Sequence, residues 1–208
     1  MEFRALLLLT LLGFMLVEPG FGQRADMDFN EWMTANQEFI KNLEVNLKNV
    51  EQCKTDVEAL DARLNATVDE LERQKIAFSA SLANSGEIYS GPSTDKTLVF
   101  KRVFSNIGNG YSANSGIFTA PVNGLYYFSF STYGYNTHTM GAMLMKNSVR
   151  QISTYESPTA DGSDSSSNAA VLQLAVGDNV HVELWDDGRV YDNLNGHTTF
   201  SGFLLFPL

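Results

Sequence analysis

From Asp28 to Asn84 the chain carries neither glycine nor proline, so nothing in that stretch interrupts a long helix. Within it, apolar residues recur at alternating steps of three and four. One column runs Asn36, Leu43, Val50, Val57, Leu64, Leu71, Phe78, and its companion runs Trp32, Phe39, Asn46, Cys53, Leu60, Thr67, Gln74. Ile40 and Leu47 widen the stripe in the first half. A repeat of about 3.5 residues winds helices around one another in a left-handed supercoil. A single amphipathic helix packed on its own domain would instead show a wider stripe that drifts out of register. The expectation is a self-associating coiled coil over residues 23–75. Polar Asn36, Asn46, Thr67 and Gln74 weaken the seam and can fix its register, while the mixed second column leaves the number of helices open.

Cys53, the only cysteine, falls in that second column near the axis of such a bundle. If the chain is secreted, any disulfide it makes joins two chains; otherwise it is a buried thiol packing as a small hydrophobe. Asn65-Ala66-Thr67 is the one N-x-Ser/Thr sequon, and Asn65 follows a seam residue onto the outer face, where a glycan can be carried. Residues 1–22 have the pattern of a cleaved secretory signal: Arg4, an apolar run from Ala5 to Val17, then Gly20 and Gly22. That run is 13 residues long, short of the roughly 20 that span a bilayer as a helix. A secreted, extracellular protein with no membrane insertion is expected.

After Lys75 the character of the chain changes. Residues 23–75 hold 12 acids and 7 bases, whereas residues 76–208 hold 10 and 6 over more than twice the length. In the second part the period becomes two. Tyr126, Phe128 and Phe130 share one face, Val180, Val182 and Leu184 another, and Phe200, Gly202, Leu204 and Phe206 a third. Turn signals punctuate these runs, among them Gly108-Asn109-Gly110, Asn123-Gly124, Asp161-Gly162, Gly177-Asp178 and Asn195-Gly196. Nine or ten short strands without a helix predict an antiparallel all-β sandwich over residues 76–208. The net charge of −10, with no lysine or arginine run, excludes electrostatic binding to nucleic acid.

Phe100, Asn106, Tyr111, Phe118, Gly124, Tyr126, Phe128 and Phe130 have the spacing F-x5-N-x4-Y-x6-F-x5-G-x-Y-x-F-x-F. This resembles the signature of the C1q domain, the globular head of the first complement component. Ala77-Phe78-Ser79-Ala80, Gly177-Asp178 and Phe200-Ser201-Gly202-Phe203-Leu204-Leu205 resemble the family as well. The resemblance implies a jelly roll of about ten strands related to the tumour-necrosis-factor fold, assembled as a homotrimer. Three helices would then join three heads. Because three thiols at one axis leave one unpaired, Cys53 could link trimers into a larger disulfide-joined oligomer. No Gly-X-Y repeat occurs, so the collagen tail of the complement component is absent here, and the heptads take its place as in cerebellin-like members.

No catalytic constellation emerges. His138, His181 and His197 lie far apart and outside metal-ligand spacing; each is expected at the surface or satisfied. Gly108-Asn109-Gly110-Tyr111-Ser112-Ala113 imitates a dinucleotide fingerprint, but no helix follows it. Cys53 has no histidine beside it to make it a nucleophile. The chain is read as no enzyme. Glu156, Asp161 and Asp164 lie among serines, threonine and glycine, and hard oxygen ligands suit calcium. The resemblance implies a calcium near the trimer apex, with Asp164 aligned to one family ligand; the same composition also describes a solvated polar loop. Asp186-Asp187-Gly188 reads as a tight turn.

The function expected is recognition of surface ligands, such as microbial glycans or immune targets, by the avidity of clustered heads. The alternative is a cerebellin-like or hormone-like ligand of a specific cell-surface or synaptic receptor, although such stalks carry paired cysteines and this one has only Cys53. Loss of the collagen tail counts against recruiting complement proteases. Asn136–Met140, Glu156–Asn168 and Asp186–Asn195 are the expected binding loops, since loops on a rigid sandwich can vary freely.

Overall fold

A computed structural model describes residues 29–92 and 97–208; the signal expected at 1–22 lies outside them. The first element is one helix, α1, Phe29–Arg73, with Glu31 in its first turn and Arg73 in its last, both favourable to the helix dipole. Its apolar column is solvent-facing in the single chain. Leu43, Val50, Val57, Leu64 and Leu71 are all exposed, as are Phe39, Leu60 and Cys53. A helix that buries none of this stripe takes little stability from packing; surface pairs such as Arg73–Glu70 at 3.2 Å add only a few tenths of a kcal/mol. Among the described residues no helix is long and apolar enough to cross a membrane.

The heptad count through Phe78 is corrected here. The helix stops at Arg73, and Phe78 sits in strand β1 (Ala77–Ser81), 3% exposed. No glycine or proline marks this stop. The chain leaves the helix because alternate residues from Ile76 to Leu82 belong to the core of the second unit, and tertiary burial outweighs local propensity.

The head has two five-stranded sheets, all of whose strand pairs are antiparallel. One runs β3 (Arg102–Ile107), β1, β12 (Thr199–Pro207), β6 (Gly124–Tyr135), β9 (Ser163–Leu174). The other runs β4 (Tyr111–Ser112), β5 (Ile117–Thr119), β10 (Asn179–Leu184), β7 (Ala142–Lys146), β8 (Val149–Ser153). β2 (Glu87–Ser90) and β11 (Val190–Asn193) form a separate pair. The expected jelly-roll sandwich is what the chain forms. One boundary differs: the serine run from Ser163 to Ser167, read as loop, is strand. It lacks apolar alternation, yet it continues the ladder opposite Ser131 to Tyr135.

The family motif turns out to be core. Phe78 stacks on Tyr111 at 4.7 Å and on Phe118 at 5.3 Å, and meets Phe200 edge-on at 4.9 Å. Tyr111 Oη donates to Phe100 O and accepts from Phe100 N, so this buried hydroxyl is satisfied; burial pushes its phenol well above the usual tyrosine range. Asn106 grips both backbone groups of Tyr111 at 2.8 and 3.2 Å. Gly202 has to be glycine, because a Cβ there would stand 2.5 Å from the Phe128 ring.

A buried carboxylate closes one end. Asp192, wholly buried, accepts backbone N–H groups of Ala83 (2.8 Å), His197 (2.7 Å) and Thr198 (3.3 Å). Thr198 Oγ1 in turn donates to Tyr191 O and accepts from Tyr133 N. The end of β1, the start of β12 and β11 are thereby tied together.

Candidate functional site

Two features of the head face outward. The first is the side of the β3-β1-β12-β6-β9 sheet turned away from the core. Its cross-strand register sorts residues into transverse rows. Ile107, Ala77, Phe203, Tyr127 and Val171 make one row, in which Ile107, Phe203 and Val171 are exposed and Tyr127 packs on Phe203 at 5.2 Å. The next is Ser105, Ser79, Ser201, Ser129 and Ala169, with the Ser79 and Ser201 hydroxyls 2.8 Å apart. Then come Arg102, Ser81, Thr199, Ser131 and Ser167, of which Ser81 is fully buried. Exposed Leu205 and Phe206 extend the apolar end. A contiguous apolar face on a soluble domain marks an interaction surface.

The second feature lies at the opposite, polar end of β6. There the aromatic pattern reappears on the outward side as Tyr133 and Tyr135. Tyr135 meets Tyr191 at 5.3 Å and Tyr89 at 6.1 Å, and Tyr89 meets Tyr191 at 5.0 Å. Tyr133 joins them at 5.8 Å from Tyr191 and stacks on His197 at 4.8 Å. The Arg189 guanidinium lies over the Tyr89 ring at 4.8 Å. Together Tyr89, Tyr135, Tyr191, Arg189, Thr137 and Gly162 line a cavity of about 460 Å³. Arg189 Nε is buried without a hydrogen-bond partner among the described residues. Burial raises the Tyr135 and Tyr191 phenols above the usual range, with Glu87 adding to it, and the Tyr191 hydroxyl accepts from Asn193 Nδ2 at 2.9 Å.

The three expected binding loops converge here. Asn136, only 4% exposed, donates from Nδ2 to Asp161 Oδ1 (2.6 Å) and to Thr159 Oγ1 (2.7 Å). Its N–H donates to Gly162 O. Met140 and Glu156 exchange both backbone hydrogen bonds, and Arg189 N donates to Thr139 O at 2.9 Å. The loops are thus a stitched frame around the cavity. Asp187 and Gly188 form a tight turn closed by Gly188 N on Trp185 O at 2.9 Å.

For calcium, the donor set in one chain does not fit. Asp161 is held by Asn136 and Thr159, and these hydrogen bonds, led by Thr159, lower its carboxyl below the usual aspartate range. Glu156 sits in the bridge to Met140, and Asp164 lies in β9 opposite Gly134. Among the described residues no group of three or more His, Cys, Asp or Glu is placed to hold a metal ion. His138 bonds to Thr137 Oγ1 at 2.8 Å. His181 is more buried than its sequence position implies, at 8% exposed; Nε2 meets Glu183 at 2.8 Å, while Nδ1 has no partner among the described residues. Asn65 is exposed on α1. Sequence reasoning missed the tyrosine cluster, although Tyr133 and Tyr135 continue the alternation of β6 on its other face.

A sandwich of this topology, with its aromatic core, defines a class. The C1q domain model matches residues 77–205, and the chain belongs to that non-enzymatic family. It is 38% identical over 133 residues to Complement C1q tumor necrosis factor-related protein 3 of Mus musculus and of Homo sapiens. The match covers 64% of this chain and 52% of each relative, so it spans about half of their length. Among solved structures, the globular domain of zebrafish Complement 1qA protein superposes with a TM-score of 0.52 at 24% identity, over 64% of this chain and all of that one. Murine APRIL gives 0.51 at 15% identity, covering 63% of this chain and 99% of that chain. Eiger TNF from S. frugiperda gives 0.52 at 14%, covering 65% and 95%. These three likenesses concern the fold.

Proposed function

We propose that this is a secreted recognition protein that works as a homotrimer, its heads binding surface ligands such as microbial glycans or immune targets by avidity. The observation that carries the proposal is the exposed apolar row Ile107, Ala77, Phe203, Tyr127, Val171. A sheet face of this kind asks for a partner, and copies of the same chain supply one of matching character. The exposed column of α1 likewise asks for partner helices. The convergent loops then stand at one end of each head, free to meet a target. Once one head is bound, its neighbours bind at a raised effective concentration, so weak contacts suffice. Cys53, exposed on α1, is available to link assemblies.

Sedimentation of the full secreted chain tests the assembly, and binding to microbial surfaces or glycan arrays by the oligomer against a monomer tests avidity. A monomeric wild-type chain, or equal binding by both forms, would overturn the proposal.

One observation favours a second reading, a ligand of a specific receptor ectodomain. On the other sheet Arg150 lies over Trp185 at 5.2 Å, and Tyr155, 59% exposed, meets Trp185 edge-on at 6.1 Å. Trp, Tyr and Arg together are the residues that dominate protein interfaces. Saturable binding to one displayed ectodomain, lost in Trp185→Ala, would decide for it.

A further inference from the structure

We propose that the tyrosine and arginine cavity is a binding site for a carboxylated pyranose, a uronic-acid residue of an acidic saccharide. The inference rests on reading the head as a recognition module. Three observations lead to the ligand class. First, Tyr89, Tyr135 and Tyr191 stand 5.0 to 6.1 Å apart at tilts of 31° to 64°. They offer angled aromatic walls, which suit the C–H faces of a saturated ring.

Second, Arg189 already covers the face of Tyr89 at 4.8 Å. The face of Tyr89 therefore already holds a cation, and what the guanidinium offers in turn is an anion site. Its buried Nε–H lacks an acceptor among the described residues. Arg189 as a whole is only half-buried, so a ligand carboxylate in the cavity can meet the accessible Nη groups of its guanidinium. Third, the volume of about 460 Å³ lies within the range of small-molecule sites. Thr137 adds a hydroxyl, and Gly162, at φ +106° with nothing within 4 Å of a built Cβ, leaves the mouth open. The cavity has the chemistry of a ring with one charge.

The test uses the full-length secreted oligomer and two probes, methyl β-D-glucuronide and methyl β-D-glucoside, which share a ring and differ in the carboxylate. Saturation-transfer NMR and equilibrium titration read binding by single sites, apart from avidity, so this proposal and the trimeric recognition reading fail separately. The glucuronide is expected to bind at least about tenfold more tightly than the glucoside. Arg189→Gln should remove that preference while leaving the weak glucoside binding, and Tyr135→Ala should weaken both probes. Tyr135 is 45% exposed, so this variant stays informative if Arg189→Gln does not fold. Lys101→Gln, at an exposed lysine that does not line the cavity, should change nothing. Equal affinity for the two probes, no glucuronide binding up to tens of millimolar, or an unchanged preference in Arg189→Gln would each overturn the proposal. So would an Arg189→Gln chain that releases monomers while keeping its sugar binding, since the cavity would then be a socket for a neighbouring copy.

Discussion

Strand β6 has two faces, and they follow different rules. Inward, Tyr126, Phe128 and Phe130 are each 1% exposed or less, locked among rings from β1, β5 and β12. Outward, the same strand carries Tyr127, Ser129, Ser131, Tyr133 and Tyr135, grading from apolar through small to aromatic. The inward face makes the fold recognisable and says nothing of a ligand. The outward face carries the apolar row and the tyrosine cluster proposed above to meet other molecules, and no residue of the F-x5-N-x4-Y signature lies on it.

That contrast can be broken by substitution, starting inside. Phe128→Ala should cost about 3–5 kcal/mol, because it opens a cavity where Phe78, Phe118 and Phe200 meet. Chemical denaturation of the head checks it, and a loss under 1 kcal/mol would mean that the core can collapse around the gap. Asp192→Asn should cost about 1–3 kcal/mol, since an amide nitrogen would face the Ala83 N–H where a carboxylate oxygen now accepts. Hydrogen exchange at Ala83, His197 and Thr198 should accelerate together.

Outward substitutions should separate assembly from folding. Phe203→Ser should leave the stability of the single head within about 0.5 kcal/mol while shifting sedimentation toward smaller species. A head destabilised as much as by Phe128→Ala would erase the distinction between the faces. The smallest effect concerns pH, at the end of the strands away from the tyrosines. Asp178 accepts from Asn147 Nδ2 (2.7 Å) and Ala175 N (3.0 Å) and pairs with Lys146 (3.2 Å), which lower its carboxyl below the ordinary 3.8. Lowering in the folded state means that the ionised form stabilises. The contribution is present above the ordinary carboxylate range and is lost as pH falls through the lowered value. Asp178→Asn should flatten the acid limb of a stability profile, leaving a minor loss at neutral pH.

What was legible followed from periodicity and from side chains that act locally. The heptads of α1 and the alternation in β6, β10 and β12 each give one face per element, and the signature gave the family because its residues are packing residues. The end of α1 was hidden because Phe78 satisfies the heptad spacing while belonging to the core; only the sheet decides between them. Asp192 resembles any loop acid until β1 and β12 bring three N–H groups to it. The tyrosine cavity draws on β2, β6 and β11, whose proximity depends on topology and leaves no spacing in the sequence. The serine run of β9 reads as loop because its partner strand, not its composition, makes it extended.

The transverse rows on the outward sheet also amount to an arrow. Read along the strands, the face passes from the apolar row, through rows dominated by serine and threonine, to Tyr133 and Tyr135 at the end of β6. Two copies laid side by side match row to row only when both arrows point the same way; turned end for end, Phe203 and Val171 would face serines and leave gaps. If heads pair through this face as proposed, an up-and-down arrangement of them is penalised before any stalk or disulfide enters. Parallel helices at the other end of the chain would be a second statement of the same orientation.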